Sequence, residues 1–339
     1  HVHERIEKSR AVVDELLAEG HTLYGINTGF GKLSNKRIPA DQVVALQRNL
    51  ILSHSAGVGK PLSRVAVRGI MVLRLNSLLR GYSGVRREVL DLIVNCLNRD
   101  VVPWVPSRGS VGASGDLAPL AHVAAVLMGE GDCLAKDRQG RVPAAKALFQ
   151  ADLSPVVFQA KEALALINGT QLIGSVGGLA LARAGRLLEQ ADVVAAMSLE
   201  ALMGTDSVFA DAVHQARPHP GQLEVAAHLR KLLAGSELIA SHKHCGKVQD
   251  PYSLRCIPQV HGAARDGWAW SKSVFEREFN SASDNPVVVS EEKRIISGGN
   301  FHGAPVALAC DTAAISLSYL GSMSERRCDK LLDTRESGL

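Results

Sequence analysis

Between about residues 158 and 201 the chain reads "AKEALALINGTQLIGSVGGLALARAGRLLEQADVVAAMSLEAL" almost without a break in helical pattern. A segment of this length commits the protein to helix-on-helix packing, because an apolar helical face has to be buried against a partner. Glycines at 169, 174, 177 and 178 leave room for close helix approach. The rest agrees. Alanine and leucine, both strong helix formers, supply most of the apolar surface, and aromatic residues are only 4%. A first helix ends at Gly20, and further helices are expected over 41–56, 63–80, 86–97, 117–128, 221–234, 260–280 and 303–323. In 41–56 the spacing of Val43, Leu46, Leu50 and Ile51 marks one buried face. "NPVVVS" and "RIISGG" read as a short strand pair, and 132–157 as a connection with room for a hairpin. The predicted class is mainly α. A smaller mixed part covers 1–81, and a helical bundle covers 82–339.

Several function classes drop out early. The net charge is +4 and its charges are interspersed, so no basic face for nucleic acid is expected. The six cysteines form no C-x-x-C pair and no zinc spacing, and are expected to be reduced, buried thiols of a cytoplasmic protein. No run of 18 apolar residues occurs, so no membrane span is expected. The chain opens on His1 rather than Met, and further N-terminal sequence is expected to precede it.

Familiar motifs fail at specific positions. "GINTGFGKL" has Ile26 and Leu33 where a P-loop needs Gly and Ser or Thr. "GFGKLS" ends in Ser34, not the glycine of a dinucleotide fingerprint. "GASGD" puts Asp116 where a nucleophile elbow needs glycine. "HKHC" at 242–245 has no complementary metal-ligand pair, and no metal site is expected.

In "RGSVGASGDLAPLAH" the centre is Ala113-Ser114-Gly115. In a tight bend the Gly115 amide nitrogen can reach the Ala113 carbonyl carbon, and glycine tolerates that geometry best. Ring closure and loss of the Ser114 hydroxyl would leave an imidazolone with an exocyclic methylene, a strong electrophile. The plainer reading is that Ser114 and Asp116 cap the helix beginning near Leu117. The tripeptide alone leaves both open.

The blocks "YGINTGFGKL", "LQRNLILSHSAGVG", "NSLLRGYSGVR", "GSVGASGDLAPLAH", "ALINGTQ", "SHKHCGKVQDPYSLRC", "SDNPVV", "SGGNFHGAPVALACD" and "GSMSERR" run in order from residue 24 to 327. On these blocks the chain resembles the aromatic amino acid ammonia-lyases, most of all their histidine-specific branch. The resemblance implies a helical, fumarase/aspartase-like architecture. It implies that Ala113, Ser114 and Gly115 condense to 4-methylideneimidazole-5-one (MIO), with no external cofactor. By the same resemblance, Tyr24 is the base for the substrate's β-proton and His54 contacts the substrate side chain. Asn168 holds the ring or the carboxylate, and Arg255 grips the α-carboxylate. Tyr252 lies by the ring or the amino group, Gln249 orients the site, and Phe301 packs near the ring. Asp284, Asn285 and His302 support these groups. The implied reaction turns L-histidine into trans-urocanate and ammonia in a cytoplasmic homotetramer whose active sites draw on several subunits. The phenylalanine and tyrosine branches, an aminomutase, and a non-catalytic fragment are the alternatives. The family continues well beyond "SERR" into a C-terminal helical region, so this chain resembles a shortened member.

Overall fold

The computed structural model describes residues 1–31, 34–135, 140–243 and 247–338. Lys32 and Leu33 of the glycine-rich motifs, the 136–139 part of the 132–157 connection, and His244 and Cys245 of "HKHC" lie outside the described residues. The chain divides into two compact units, His1–Gly177 with Glu276–Ala307 and Gly178–Phe275 with Leu308–Leu339. The 81/82 division expected from the sequence falls inside the first of these units.

The first unit contains α1 (Val2–Ala18), α2 (Val43–His54), α3 (Arg64–Leu79), α4 (Arg87–Asn98), α5 (Leu117–Leu127), α6 (Ala144–Gln150), α7 (Glu162–Ile167) and the first turns of α8 (Gln171–Ala201). Local chemistry sets several boundaries. The Ser63 hydroxyl accepts from the Ala66 amide and starts α3. Along α4, Val89, Leu90, Ile93 and Cys96 fall on one side and are buried. In α5 Leu120 through Leu127 are almost all apolar and buried except His122, so this helix is central in the unit's core. Among the described residues, three antiparallel strand pairs complete the unit. They are β1 (Val58–Pro61) with β2 (Pro106–Arg108), β3 (Asp132–Leu134) with β4 (Arg141–Pro143), and β5 (Val287–Val289) with β6 (Arg294–Ile296). The last is the expected strand pair, with Val288 opposite Ile295.

The long helical run is two helices. It breaks at Asn168-Gly169-Thr170, between α7 and α8. Glycine and a short polar side chain on each side of it are a turn composition inside an otherwise helical pattern.

The second unit holds the rest of α8, α9 (Asp211–Gln215), α10 (Pro220–Leu232), α11 (Glu237–Ser241), α12 (Tyr252–Arg255), most of α13 (Ile257–Phe279), most of α14 (Ala304–Leu332) and α15 (Thr334–Ser337). Its core contains a buried polar network. The Asp192 carboxylate accepts from His261 Nδ1 at 2.7 Å and Arg265 at 2.6 Å, with His228 Nδ1 at 3.0 Å. His261 Nε2 faces Arg327 at 3.4 Å, and arginine can only donate. The neutral His261 ring therefore carries its proton on Nδ1. Burial raises the Asp192 pKa, but the hydrogen bonds from His261, His228 and Arg265 outweigh it and hold the carboxyl below its ordinary range. The stabilisation is complete above the unfolded-state value near 4 and is lost as pH falls through the lowered folded value. Urea midpoints measured down the acid range are expected to fall in that window. Asp192→Asn is expected to flatten that part of the curve, and an unchanged acid dependence would refute the assignment.

Two helical stretches, Glu162–Ala201 and Ala304–Leu332, are long and apolar enough to cross a membrane. The first is mostly buried in the protein, as core helices are.

Candidate active site

The Ala113-Ser114-Gly115 loop lies between β2 and α5. It is already folded back on itself. The Gly115 amide donates to the Gly112 carbonyl at 3.2 Å, and Gly115 has φ of +79°. A side chain there is excluded twice, by that backbone conformation and by space. A Cβ on Gly115 would lie 2.6 Å from the Gly169 carbonyl oxygen. Next along the chain, the Asp116 amide donates to that same Gly169 oxygen at 2.6 Å. The loop is thus pressed against the break between α7 and α8, with Ser114 on its exposed side.

Asp116 corrects an expectation. It occupies the residue before α5, yet its side chain does not cap that helix. The buried carboxylate instead accepts from the Ser110 hydroxyl at 2.5 Å and from the Ile173 amide, in the first turn of α8, at 3.0 Å. Burial pushes its pKa up, against these hydrogen bonds. The residue ties the tripeptide loop to α8 rather than starting the helix that follows it.

A cavity of about 400 Å³ opens over this loop. It is lined by six residues singled out in the sequence: Tyr24, His54, Ser114, Asn168, Asn285 and Phe301. Tyr24 comes from a loop that Asn27 closes, its side chain accepting from the Leu23 amide and donating to the His21 carbonyl, both at 2.7 Å. His54 is the last residue of α2, and its Nδ1 lies 2.9 Å from the Leu50 carbonyl. A carbonyl only accepts, so Nδ1 carries the proton and Nε2 of the neutral ring is left as an acceptor. Asn168, the C-cap of α7, donates from Nδ2 to the Asn285 carbonyl at 3.1 Å. Its Oδ1 is buried with no hydrogen-bond partner among the described residues. Phe30, Leu50, Leu117, Leu164 and Ile167 supply an apolar wall that sequence reasoning missed. Leu50 was within reach, being one helical turn before His54.

Asn285, expected as a supporting group, lines the cavity itself. Behind it, Asp284 pairs with Lys161 at 2.7 Å, and both are fully buried. Asp284 also accepts from the Asn285 amide at 2.7 Å, and Asn285 Oδ1 accepts from Gly298 at 2.7 Å. His302 is exposed, and its Nδ1 accepts from the Ala304 amide at 3.1 Å. It does not line the cavity.

Gln249, Tyr252 and Arg255 belong to the second unit and are not among the residues lining this cavity. They form a cluster of their own. The Arg255 guanidinium stacks 4.1 Å from the centre of the Tyr252 ring, and the Gln249 amide oxygen, turned toward it, accepts from Arg255 Nε at 2.8 Å. With Arg326 and Lys330 they border a second depression of about 550 Å³.

The sequence profile of the aromatic amino acid lyases matches residues 1–339. The chain belongs to the aromatic amino acid lyase family. It is 55% identical over 335 residues to a histidine ammonia-lyase of Myxococcus xanthus, covering 99% of this chain and 66% of that one. It is also 55% identical to a histidine ammonia-lyase of Anaeromyxobacter sp. strain K, covering 99% and 68%. Among solved structures, the histidine ammonia-lyase of Trypanosoma cruzi superimposes with a TM-score of 0.90 at 41% identity, over 100% of this chain and 63% of that one. The phenylalanine aminomutase of Pantoea agglomerans superimposes with a TM-score of 0.92 at 33% identity, over 99% and 68%. This lyase chain spans about two thirds of the length of the relatives it matches. The mainly α fold expected from the sequence is the helical fold of these lyases.

Proposed function

We propose that this chain belongs to a histidine ammonia-lyase that removes ammonia from L-histidine and releases trans-urocanate. The observation that carries the reading is the convergence of Ser114, Tyr24, His54 and Asn168 on one cavity above a folded-back Ala-Ser-Gly loop.

The residues present fit an internal MIO ring. The Gly115 nitrogen already faces back along the loop, and nothing but hydrogen is tolerated on its α-carbon. Ring closure joins Gly115 N to Ala113 C. The Ala113 oxygen leaves as water with the Gly115 and Ser114 amide protons, which makes the C=N bond. The Ser114 hydroxyl then leaves as a second water with the Ser114 α-proton, which makes the exocyclic C=C bond. Held by Ala113, Ser114 and Gly115, the ring would supply an electrophilic methylidene able to activate the substrate's α-amine as a leaving group.

The remaining work falls to ordinary side chains. We assign Tyr24 as the base for the β-proton, a role that needs surroundings favouring its phenolate. Asn168, on the cavity wall, is assigned to hold the ring or the substrate's carboxylate through its amide, and Phe301 closes the apolar wall. The guanidinium of Arg255 suits a bidentate hold on the α-carboxylate, with Gln249 and Tyr252 fixing its direction. These three enter the proposal through assembly, as a homotetramer whose active sites take residues from several copies. Apolar side chains exposed on α8 and α14, including Leu187, Met197, Leu308, Ile315 and Tyr319, support such contacts. The cytoplasm is the proposed location.

His54 supports histidine over phenylalanine. Its free Nε2 acceptor matches an imidazole N–H, which a phenyl ring does not offer. His54→Leu is expected to lower kcat/KM for L-histidine about 10- to 100-fold, the size of one buried hydrogen bond left unmade. An unchanged kcat/KM would remove His54 from substrate recognition. The likeness to an aminomutase structure favours a second reading, a lyase or mutase acting on phenylalanine or tyrosine. A panel of the three amino acids decides. Urocanate from L-histidine is expected, whereas cinnamate, coumarate or β-amino acids without urocanate would overturn the assignment.

A further inference from the structure

Arg74, on α3, is 1% exposed and meets the loop's far support. One of its terminal nitrogens donates to the carbonyls of Asn168 at 3.3 Å and Ser283 at 3.0 Å and to Gln171 Oε1 at 3.0 Å. The other donates to the Ala165 carbonyl. All four acceptors are uncharged oxygens, and three of them belong to the stretch 165–171 where α7 stops and α8 begins. The last carbonyls of a helix lack partners within it, so a cation placed there satisfies them and suits the negative helix end. Burial lowers the Arg74 pKa to about 10, against the raising influence of Asp284, so the guanidinium stays charged at neutral pH.

The packing from Arg74 to the tripeptide has no slack. A Cβ on Gly169 would sit 2.4 Å from the guanidinium and 2.3 Å from Gln171 Oε1, so only glycine fits there. The other side of Gly169 is its carbonyl, which receives the Asp116 amide at 2.6 Å and bars any side chain from Gly115. Guanidinium, turn and tripeptide are thus in series. A displaced turn displaces the surface against which the loop is bent. Bond formation between Gly115 N and Ala113 C depends on those atoms being held together, and such proximity effects are steep in distance.

We propose that Arg74 is a positioning residue for ring closure, holding the 165–171 turn so that Gly169 keeps Ala113-Ser114-Gly115 in its bent form. The proposal rests on the reading that these three residues cyclise. Closure expels the Ala113 oxygen as water, and the Ser114 hydroxyl follows as a second, so the chain's mass reports it without any assay of turnover.

The test compares the full chain with Arg74→Met, Arg74→Lys and Leu148→Ala. The last variant truncates a buried core leucine on α6 and controls for lost stability alone. Each is followed from synthesis by the mass of the peptide spanning 113–115, with circular dichroism and limited proteolysis as checks of folding. Wild type and Leu148→Ala are expected to become two waters lighter. Folded Arg74→Met is expected to cyclise on the order of 100-fold more slowly, the size of effect that a displacement of about 1 Å produces. Arg74→Lys is expected to be slowed too, because a point charge cannot span four acceptors. Folded Arg74→Met that cyclises at the wild-type rate overturns the proposal. If Arg74→Met does not fold, a folded Arg74→Lys that cyclises at the wild-type rate overturns it. Slowing of Leu148→Ala by the same factor also overturns it, because destabilisation alone would then explain the effect. A wild type that never loses water sinks the cyclisation reading itself, and this proposal with it.

Discussion

Replacing Ser114 by alanine is expected to abolish ammonia release, with a fall in kcat on the order of 10,000-fold or more, because it removes the source of the electrophile rather than a contact to it. Alanine is smaller than serine, and Ser114 is exposed at the cavity, so the substitution meets no steric conflict. The variant should keep the fold and its melting behaviour. Its 113–115 peptide should carry the full unmodified mass. Full activity in Ser114→Ala would refute the mechanism outright. Lost activity together with lost helical signal would leave the fold, not the chemistry, as the cause.

The second large effect is on stability. Lys161→Met is expected to destabilise the first unit by about 3–5 kcal/mol, because it leaves the Asp284 carboxylate buried without its ammonium partner. Arg74 lies near enough to interact with Asp284, but among the described residues its hydrogen bonds go to Ala165, Asn168, Gln171 and Ser283, so it does not replace the lost partner. Urea unfolding of the two proteins measures the difference. Lys161→Met with Asp284→Leu should recover part of the loss, since removing both charges avoids the uncompensated one. A shift below about 1 kcal/mol for Lys161→Met would show that the pair does not hold this part of the unit.

How much of this was legible in the chain varies with how local the cause is. Helix positions were, because they rest on periodicity and on caps within a few residues. Helices expected at 63–80 and 86–97 are found at Arg64–Leu79 and Arg87–Asn98. The break at Asn168-Gly169-Thr170 was written in turn-forming residues, yet the apolar periodicity on both sides runs through it and hides it. Asp116 misled because adjacency suggested a cap for α5. A contact 57 residues away, to Ile173, took the carboxylate instead. Arg74 looked like one more arginine on a helix that also carries Arg64 and Arg68. Its acceptors lie 91 or more residues along the chain, so no window of sequence contains the reason for it. Lys161 and Glu162 left a faint trace, a charge pair at the head of a run that is otherwise buried.

The site followed the same rule. Taken singly, Tyr24 was a loop tyrosine and His54 a core histidine. It was the ordered blocks from residue 24 to 327 that assembled them, and the cavity that brought Tyr24, His54, Ser114, Asn168 and Phe301 within one wall. Gln249, Tyr252 and Arg255 were expected at the same site as Ser114; in the structure they are held together by the stacked and hydrogen-bonded guanidinium and border another depression.

The central claim is that Ala113, Ser114 and Gly115 become an electrophile. The mass of the peptide carrying them, taken from the purified protein, tests it most directly. A peptide lighter than its sequence by two waters is the expected result. A peptide at full mass in a folded protein would contradict it.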